Sequence, residues 1–231
     1  MIEIIPAVLP KNYEDLKNNI ALVRGIVPVV QIDICDGIFV PSKTWPFSTG
    51  GANDENFQNI LNEKEGMPFW EDIDFELDLM VLDAADNFDI YTKLGPKKII
   101  FHLEAVGNPE SFKNFLEGID VYIRDSIEIG LAINPSTPID KIFPFISNID
   151  FVQCMGNDRL GYHGVELDEK IYEKIKILRD KYLDLPIAVD IGVDFKTAPL
   201  LIKAGATKLV VGSAIFNTED IIETIEKFRS L

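Results

Sequence analysis

Short runs of apolar residues recur along the chain and dominate its pattern of hydrophobic and polar positions. Each run is four to seven residues long, which is typical of strands buried on both faces of a parallel sheet. We therefore predict eight strands, at Ile2–Val8, Val29–Ile34, Phe75–Val81, Lys98–His102, Glu128–Ile133, Phe151–Met155, Ile187–Asp190 and Lys208–Val211.

Segments in which apolar residues follow a helical spacing lie between these runs. We predict helices at Tyr13–Arg24, Glu55–Asn62, Ala84–Leu94, Pro109–Arg124, Ile139–Ile146, Asp168–Tyr182, Lys196–Ala204 and Thr218–Phe228. A helix between two strands is the crossover that lets the second strand run parallel to the first. Eight such units without a break in composition favour a closed barrel over an open sheet. The predicted fold class is α/β, a (β/α)8 TIM barrel with residues 1–231 in one domain, since such barrels take roughly 250 residues.

One long irregular stretch interrupts this alternation, at about residues 41–72 after the second predicted strand. It carries Trp45, the pair Gly50 and Gly51, and Trp70. Barrel loops on this side cover the active site, so one interpretation is a lid. A surface elaboration or a contact between two copies of the chain explains the segment equally well.

Composition and charge narrow the class of partner. The chain has 22 Lys and Arg against 38 Asp and Glu, a net charge of −16, and no basic stripe, which opposes binding to nucleic acid or to an anionic membrane. No stretch approaches the roughly 20 apolar residues of a membrane span, and Cys35 and Cys154 are too few for a disulfide framework. We expect a cytoplasmic protein without nucleic-acid or membrane partners. Association into a homo-oligomer stays open.

Acidic residues stand at or near the ends of three predicted strands. Gln31 and Asp33 are two positions apart at the end of the second strand, so both side chains point towards the barrel axis. Asp78 lies in the second half of the third strand, and Asp190 ends the seventh. Two carboxylates on either side of a substrate can take a proton from one face of a carbon and return it to the other. We predict that Asp33 and Asp190 are catalytic, against the alternative that barrel-mouth acids are helix caps and hydrogen-bond acceptors.

Glycines follow each of the last three predicted strands. Gly161 and Gly164 come after the sixth strand, Gly192 after the seventh, and Gly212 with Ser213 after the eighth. Phosphate sites in such barrels commonly use the loops after strands seven and eight, where bare backbone approaches the anion. We predict that these five residues bind a phosphorylated sugar, although turns also need glycine for its backbone freedom.

Six segments resemble, in order, those of a known family. They are Ile4–Leu9, Asp33–Pro41, Leu79–Val81, Phe101–Ala105, Gly130–Pro138 and Val211–Phe216. On these residues the chain resembles the ribulose-phosphate 3-epimerase family almost from end to end. The segment Asp33–Pro41, which is similar to the family's Asp-x-Met-Asp-Gly-x-Phe-Val-Pro signature, is specific. The resemblance implies a ribulose-phosphate-binding barrel that interconverts ribulose 5-phosphate and xylulose 5-phosphate through an enediolate.

The resemblance also implies roles for particular residues. In the family two aspartates act as acid and base, and Asp33 and Asp190 match them. A divalent metal stabilises the developing oxyanion there, held by two histidines and two aspartates. This chain departs from that set, because Gln31 and Asp78 stand in place of the two histidines.

The set that remains, Gln31, Asp33, Asp78 and Asp190, offers only oxygen as a metal ligand. Such a set suits Mg²⁺ or Mn²⁺ better than Zn²⁺. Three converging carboxylates repel one another unless a cation or a shared proton lies between them, and no Lys or Arg matches a position in the cluster. A divalent metal and the absence of any cofactor therefore both stay open.

Two loops depart further from the family. The Asp-Gly-Gly after the seventh strand reads Asp190-Ile191-Gly192, and the loop after the sixth carries an apparent one-residue insertion. In that loop Arg159 and His163 contact phosphate or are solvated, and we favour Arg159 as the cation for a phosphate. His102, at the end of the fourth strand, fits a structural role slightly better than a place at the rim of the site.

Three functions fit these residues. The leading one is an epimerase or isomerase acting on a ketose phosphate, most readily ribulose 5-phosphate, with an epimerase for another pentose or hexose phosphate as an alternative. A decarboxylase related to the orotidylate-decarboxylase barrels ranks lower, because Met80 stands where that group carries a lysine. The third is a non-catalytic sugar-phosphate binding protein, which would gain little from two buried acids.

Overall fold

Eight parallel strands pair in chain order and close into a barrel in the computed structural model, which describes residues 2–231. The first strand pairs with both the second and the eighth, and this pairing completes the circle. The strands are β1 (Glu3–Val8), β2 (Val29–Cys35), β3 (Asp74–Met80), β4 (Lys98–His102), β5 (Glu128–Ile133), β6 (Phe151–Met155), β7 (Ile187–Asp190) and β8 (Lys208–Val211). The predicted TIM barrel is confirmed, and each strand boundary lies within one residue of its prediction.

The helices follow the predicted order but differ more in their limits. They are α1 (Tyr13–Val23), α2 (Glu55–Leu61), α3 (Phe88–Thr92), α4 (Pro109–Gly118), α5 (Val121–Arg124), α6 (Lys170–Lys181), α7 (Ala198–Ala204), α8 (Ser213–Phe216) and α9 (Ile221–Arg229). The helix predicted at 84–94 is only five residues long, and the one predicted at 139–146 consists of the 3-10 helices Ile139–Lys141 and Phe143–Asn148. The helix predicted at 109–124 is divided between α4 and α5.

Side chains alternate between the two faces of every strand and create two separate cores. On β2, for example, Val30, Ile32 and Ile34 pack outward against the helices, whereas Gln31 and Asp33 point into the barrel. At the N-terminal end of the barrel, Lys98 forms an ion pair with the buried carboxylate of Glu76. Acids are therefore paired with lysine at this end of the barrel, whereas the buried acids at the other end have no Lys or Arg partner among the described residues.

Residues 41–72 form an ordered, packed segment that includes α2 and two short 3-10 helices. Trp45 is completely buried, donates a hydrogen bond from Nε1 to Asp54 Oδ1 at 3.0 Å, and packs against Tyr13 and Phe57. No residue from 41 to 72 is among the described residues that line the barrel cavity. The segment therefore supports β2 from outside, and its contacts do not favour the interpretation as a lid.

Cys35 and Cys154 are both buried free thiols. Among residues 2–231, every helix is too short or too polar to cross a bilayer.

Candidate active site

Three carboxylates converge at the C-terminal end of the barrel. Asp33 on β2 is in register with Asp78 on β3, and Asp190 ends β7. One oxygen from each of the three lies within 4.8 Å of the other two. The barrel thus brings together acids that are as far apart in sequence as residues 33 and 190.

Gln31 joins two of these carboxylates. Its Nε2 donates hydrogen bonds to Asp33 Oδ1 at 2.8 Å and to Asp190 Oδ2 at 3.0 Å. Its Oε1 is buried and has no hydrogen-bond partner among the described residues. A buried oxygen without a hydrogen-bond partner is rare in a folded protein, so this one, beside three carboxylates, needs an explanation other than stabilising the fold.

The electrostatics of the cluster raise the proton affinity of its acids. Burial, with the charges of Asp190 and Asp78, raises the pKa of Asp33 well above its usual value, against the hydrogen bond from Gln31. Burial and the charge of Asp78 raise the pKa of Asp190 to about 7, against the hydrogen bonds from Gln31 and from the Ile191 backbone. Without a cation, Asp33 and Asp190 therefore bind protons more readily than an ordinary aspartate does.

His102 also contacts this cluster, so an imidazole nitrogen lies beside the four oxygen-bearing residues predicted from the sequence. Its Nε2 lies 2.7 Å from Asp78 Oδ1, and Gln153 Nε2 donates to Asp78 Oδ2 at 3.3 Å. Burial lowers the pKa of His102, but the charge of Asp78 outweighs burial and raises it. His102, the second residue of the segment Phe101–Ala105, thus contacts Asp78 on the neighbouring strand β3. Gln153 belongs to no motif, and the sequence gives no sign of its contact.

The donor chemistry of the cluster fits a hard divalent cation. Asp33, Asp78 and Asp190 supply buried carboxylate oxygens at mutual distances suited to one ion, and the unpartnered Oε1 of Gln31 adds an amide oxygen. Oxygen donors of this kind are those that Mg²⁺ and Mn²⁺ prefer. The same charges that raise the pKa values of Asp33 and Asp190 would favour such an ion.

A cavity of about 490 Å³ opens above the cluster and reaches the loops after β6, β7 and β8. Asp33 and Asp190 line it, whereas Gln31 and Asp78 are completely buried. All five residues predicted to bind phosphate also line it: Gly161, Gly164, Gly192, Gly212 and Ser213. The structure therefore places the predicted acids and the predicted phosphate loops around one cavity.

The glycines in this cavity differ in whether a side chain would fit at their position. Gly192 has φ +73°, and a Cβ there would lie 2.6 Å from the backbone nitrogen of Leu167, so only glycine fits. At Gly212 a Cβ would meet nothing closer than 3.5 Å, so this backbone is open to the cavity. An anion can approach the chain closely at Gly212.

Ile191 occupies an unusual backbone position between Asp190 and Gly192. Its φ is +70°, which is a genuine outlier for a β-branched residue. Its backbone nitrogen donates to Asp190 Oδ1 at 2.6 Å, and its side chain lines the cavity. The strained turn therefore fixes the orientation of the carboxyl group predicted to be catalytic.

Of the two basic residues in the loop after β6, the structure places His163 and not Arg159 in the cavity. His163 lines the cavity, whereas Arg159 is directed to the ring of Tyr162, with its guanidinium carbon 5.3 Å from the ring centre. Our preference for Arg159 as a phosphate-binding cation is therefore not supported by its position. Sequence position alone could not distinguish them, since both lie in the same glycine-containing loop.

Thr44 fixes the backbone at the end of β2. Its hydroxyl donates to the carbonyl oxygen of Asp33 at 2.7 Å and accepts from the backbone nitrogen of Cys35 at 2.8 Å. Asp36 accepts from the backbone nitrogens of Phe39 and Leu82, which ties the loop after β2 to the loop after β3. These side chains hold the carboxylates in place without lining the cavity.

Comparison with known sequences relates the chain to one family over nearly its whole length. The profile of the Ribulose-phosphate 3 epimerase family matches residues 3–216. A ribulose-phosphate 3-epimerase of Bacillus subtilis is 28% identical over 235 residues, which cover 99% of this chain and 99% of the relative. The ribulose-phosphate 3-epimerase of Schizosaccharomyces pombe is 26% identical over 229 residues, which cover 99% of this chain and 92% of the relative.

Comparison with solved structures supports the fold. A crystal structure of KGPDC from Streptococcus mutans superimposes with a TM-score of 0.70 at 14% identity, covering 99% of this chain and 96% of that one. At that identity the likeness concerns the barrel alone. Family membership rests on the sequence matches. The chain belongs to the ribulose-phosphate 3-epimerase family, whose members are isomerases acting on carbohydrates.

Proposed function

We propose that this protein is a ribulose-phosphate 3-epimerase that interconverts ribulose 5-phosphate and xylulose 5-phosphate by two-aspartate proton transfer. The observation that carries the proposal is the convergence of Asp33 and Asp190 in a cavity that also holds the glycine loops after β6, β7 and β8. Family membership supports the substrate class.

The chemistry requires one acid and one base on opposite sides of the substrate's C3. The adjacent C2 ketone acidifies the C3 proton, one carboxylate takes that proton, and the electron pair left behind forms an enediolate. The other carboxyl group, initially protonated, then donates its proton to the opposite face of C3 and the ketone re-forms. Reaction in the other direction exchanges the two roles.

The raised pKa values of Asp33 and Asp190 suit a pair in which one residue is the acid and the other the base. Two adjacent buried carboxyl groups do not both ionise readily, so one stays protonated while the other is charged. Gln31 donates to both and so fixes their orientation in either protonation state. Met80 and Met155 line the cavity and limit access of water to the carbanion-like intermediate.

A divalent cation in the cluster would be held by Asp33, Asp78, Asp190 and Gln31, and when bound it would stabilise negative charge on the enediolate oxygens. We favour Mg²⁺ or Mn²⁺ over Zn²⁺ because every donor of that set is an oxygen. His102 and Gln153 hold the carboxylate of Asp78 by hydrogen bonds.

The backbone at Gly161, Gly164, Gly192, Gly212 and Ser213 would bind the phosphate group of the substrate. These residues line the end of the cavity formed by the loops after β6, β7 and β8. A phosphorylated sugar is accordingly the partner we propose. We also place the protein in the cytoplasm, since both of its cysteines are free thiols.

Deuterium exchange measured by NMR tests this function directly. The protein is incubated in D₂O with ribulose 5-phosphate and with Mg²⁺, Mn²⁺ or a chelator. We expect deuterium at C3 of both sugars and formation of xylulose 5-phosphate, with losses of at least about a hundredfold in Asp33→Asn and Asp190→Asn.

The matched control is Asp180→Asn, which makes the same substitution at an exposed acid of α6 that does not line the cavity. It should retain the exchange rate. Saturable sugar-phosphate binding without exchange under any metal condition would contradict epimerase activity and favour a binding protein.

A different pentose or hexose phosphate is the second candidate, and one observation favours it. Ile191 and His163 both line the cavity at positions where the chain departs from the family pattern. The same exchange assay with a panel of ketopentose and ketohexose phosphates distinguishes the substrates by their relative kcat/KM.

A further inference from the structure

The cavity is poor in positive charge for a site that receives a phosphate ester. Its lining includes five acids, Asp33, Glu166, Glu169, Asp190 and Asp194. Among the described residues that line it, only His163 and Lys196 carry basic side chains. The net charge of −16 adds to the repulsion of a phosphate dianion. A cation close to the phosphate would offset this repulsion.

His163 lies against one of the proposed phosphate loops. Its Nδ1 is 3.8 Å from the point that a Cβ on Gly212 would occupy, and the one nearer atom is the Ala7 carbonyl oxygen, at 3.5 Å. Lys196 is instead close enough to Asp194 that its charge helps to lower the pKa of that carboxyl, after the hydrogen bonds from the loop. His163 is therefore the basic side chain whose position directs it to the anion.

The charged groups around His163 determine its state before any ligand binds. Partial burial and the Lys11 ammonium, which follows β1, lower the pKa of His163. The carboxylate of Asp15, in the first turn of α1, opposes them. The imidazole is thus neutral in the ligand-free protein at neutral pH, and a phosphate dianion in contact with it would favour the charged form.

We propose that His163 is a phosphate-binding residue whose imidazole gains a proton when a sugar phosphate binds, so that binding is coupled to proton uptake near neutral pH. The proposal rests on the proposed sugar-phosphate function and adds a side-chain cation to the backbone donors. The protonated ring donates from Nδ1 to a phosphate oxygen above Gly212. Affinity should accordingly weaken as the pH rises above neutrality, because deprotonation of the ring removes this donor.

Calorimetric titration with ribitol 5-phosphate tests the proposal. This compound keeps the phosphate but has no ketone, so it binds without reacting. Titrations at pH 7.5 in two buffers of different ionisation enthalpy give the dissociation constant and the number of protons taken up. The wild-type protein should take up more protons than His163→Gln, and His163→Gln should bind about tenfold more weakly, as for loss of one charge-assisted hydrogen bond.

Two further variants separate contact from general charge. His163→Lys keeps a cation that does not titrate near neutrality, so it should restore part of the affinity while proton uptake stays at the lower level of His163→Gln. Arg159→Gln removes a cation from the same loop outside the cavity and should leave affinity and uptake unchanged. Equal affinity and uptake in His163→Gln and wild type, equal losses in Arg159→Gln, or no binding of ribitol 5-phosphate by wild type would each overturn the proposal.

The exchange assay with ribulose 5-phosphate keeps this inference distinct from the proposed function. Proton-coupled binding of ribitol 5-phosphate without any C3 exchange would contradict the epimerase and leave His163 as a phosphate ligand. Exchange that persists with unchanged KM in His163→Gln would support the epimerase and contradict the role of His163. If both proposals hold, His163→Gln should raise KM about tenfold with little change in kcat.

Discussion

Gln31 Nε2 lies 3.0 Å from Asp190 Oδ2 and donates a hydrogen bond to it, which connects β2 to β7 across the mouth of the barrel. The same nitrogen donates to Asp33 Oδ1 at 2.8 Å. One neutral amide therefore stabilises the charged forms of both proposed catalytic acids. It provides a hydrogen-bonded link between them where family members carry an imidazole metal ligand.

Removal of this amide should impair proton transfer. In Gln31→Leu both hydrogen bonds are lost, so the pKa values of Asp33 and Asp190 should rise further and the C3 exchange rate should fall by about tenfold or more. The pH profile of exchange should shift its acidic limb to higher pH. Gln153→Leu is the comparison, since Gln153 contacts only Asp78 among the three acids. An unchanged rate and pH profile in Gln31→Leu would show that the amide has no such role.

Restoration of the family's two histidines should alter metal preference. The double variant Gln31→His/Asp78→His replaces an amide and a carboxylate with imidazoles, which suit Zn²⁺ and Co²⁺ better than Mg²⁺. Titration of the wild type and the double variant with each metal, and the visible spectrum of the Co²⁺ forms, measure this preference. We expect the ratio of Zn²⁺ to Mg²⁺ affinity to rise at least about tenfold in the variant. A ratio that stays constant would argue against these positions as metal ligands.

The free energy of unfolding of the metal-free protein, measured in chelator, should decrease as the pH rises from about 4 to about 7. The pKa of Asp190 is raised to about 7 in the folded state, so the folded protein binds a proton that the unfolded chain releases near pH 4. Because the folded state then holds more protons, its free energy of unfolding falls as the pH rises through this interval, by on the order of 4 kcal/mol. Urea denaturation in chelator at several pH values measures the slope.

A shallower slope in Asp190→Asn than in the wild type would assign part of this dependence to the Asp190 carboxyl group, and the remainder includes the raised pKa of Asp33. Addition of Mg²⁺ or Mn²⁺ at pH 8 should restore stability in the wild type, because a cation that binds only the folded state stabilises it by mass action. The same addition should have little effect on an Asp33→Asn/Asp190→Asn variant. Equal stabilisation of both proteins would place metal binding elsewhere.

The eight strands could be predicted from the sequence because their signal is local. A buried parallel strand is a short apolar run, and each of the eight runs became a strand with at most a one-residue shift. The helices were less regular because a barrel only requires each crossover to cover its strands. The segment at 84–94, for example, buries Ala84, Phe88, Tyr91 and Leu94 in the core, although only the five residues around Phe88 and Tyr91 are helical.

The site divides in a similar way. Asp33, Asp78 and Asp190 could be brought together from the sequence because barrel topology fixes where strand ends meet. His102 and Gln153 could not be assigned to Asp78, since side-chain contacts inside the barrel depend on register and on the length of each side chain. The strain at Ile191 had one signal in the sequence, the family's glycine at that position, but the isoleucine itself does not indicate a positive φ.

That strain at Ile191 should reverse the usual order of alanine and glycine. Where φ is negative, Gly is about 0.4–1 kcal/mol less stable than Ala, because the unfolded Gly chain has more freedom. At φ +70° the Cβ of Ala is itself strained, at about 1–2 kcal/mol, whereas Gly is not. Both variants lose the same side chain beyond Cβ, so their difference isolates the backbone. Ile191→Gly should therefore unfold at a higher urea concentration than Ile191→Ala.

Val165 supplies the matched pair for this comparison. It is another branched, partly buried residue lining the cavity, and it is not among the described residues with positive φ. Here Val165→Ala should be more stable than Val165→Gly, the ordinary order. If Ile191→Ala also proved the more stable of its pair, the turn would have relaxed to negative φ. In that outcome the strained turn would not be what orients Asp190 through the hydrogen bond from the Ile191 backbone. The two Ile191 variants should then exchange deuterium at C3 at equal rates.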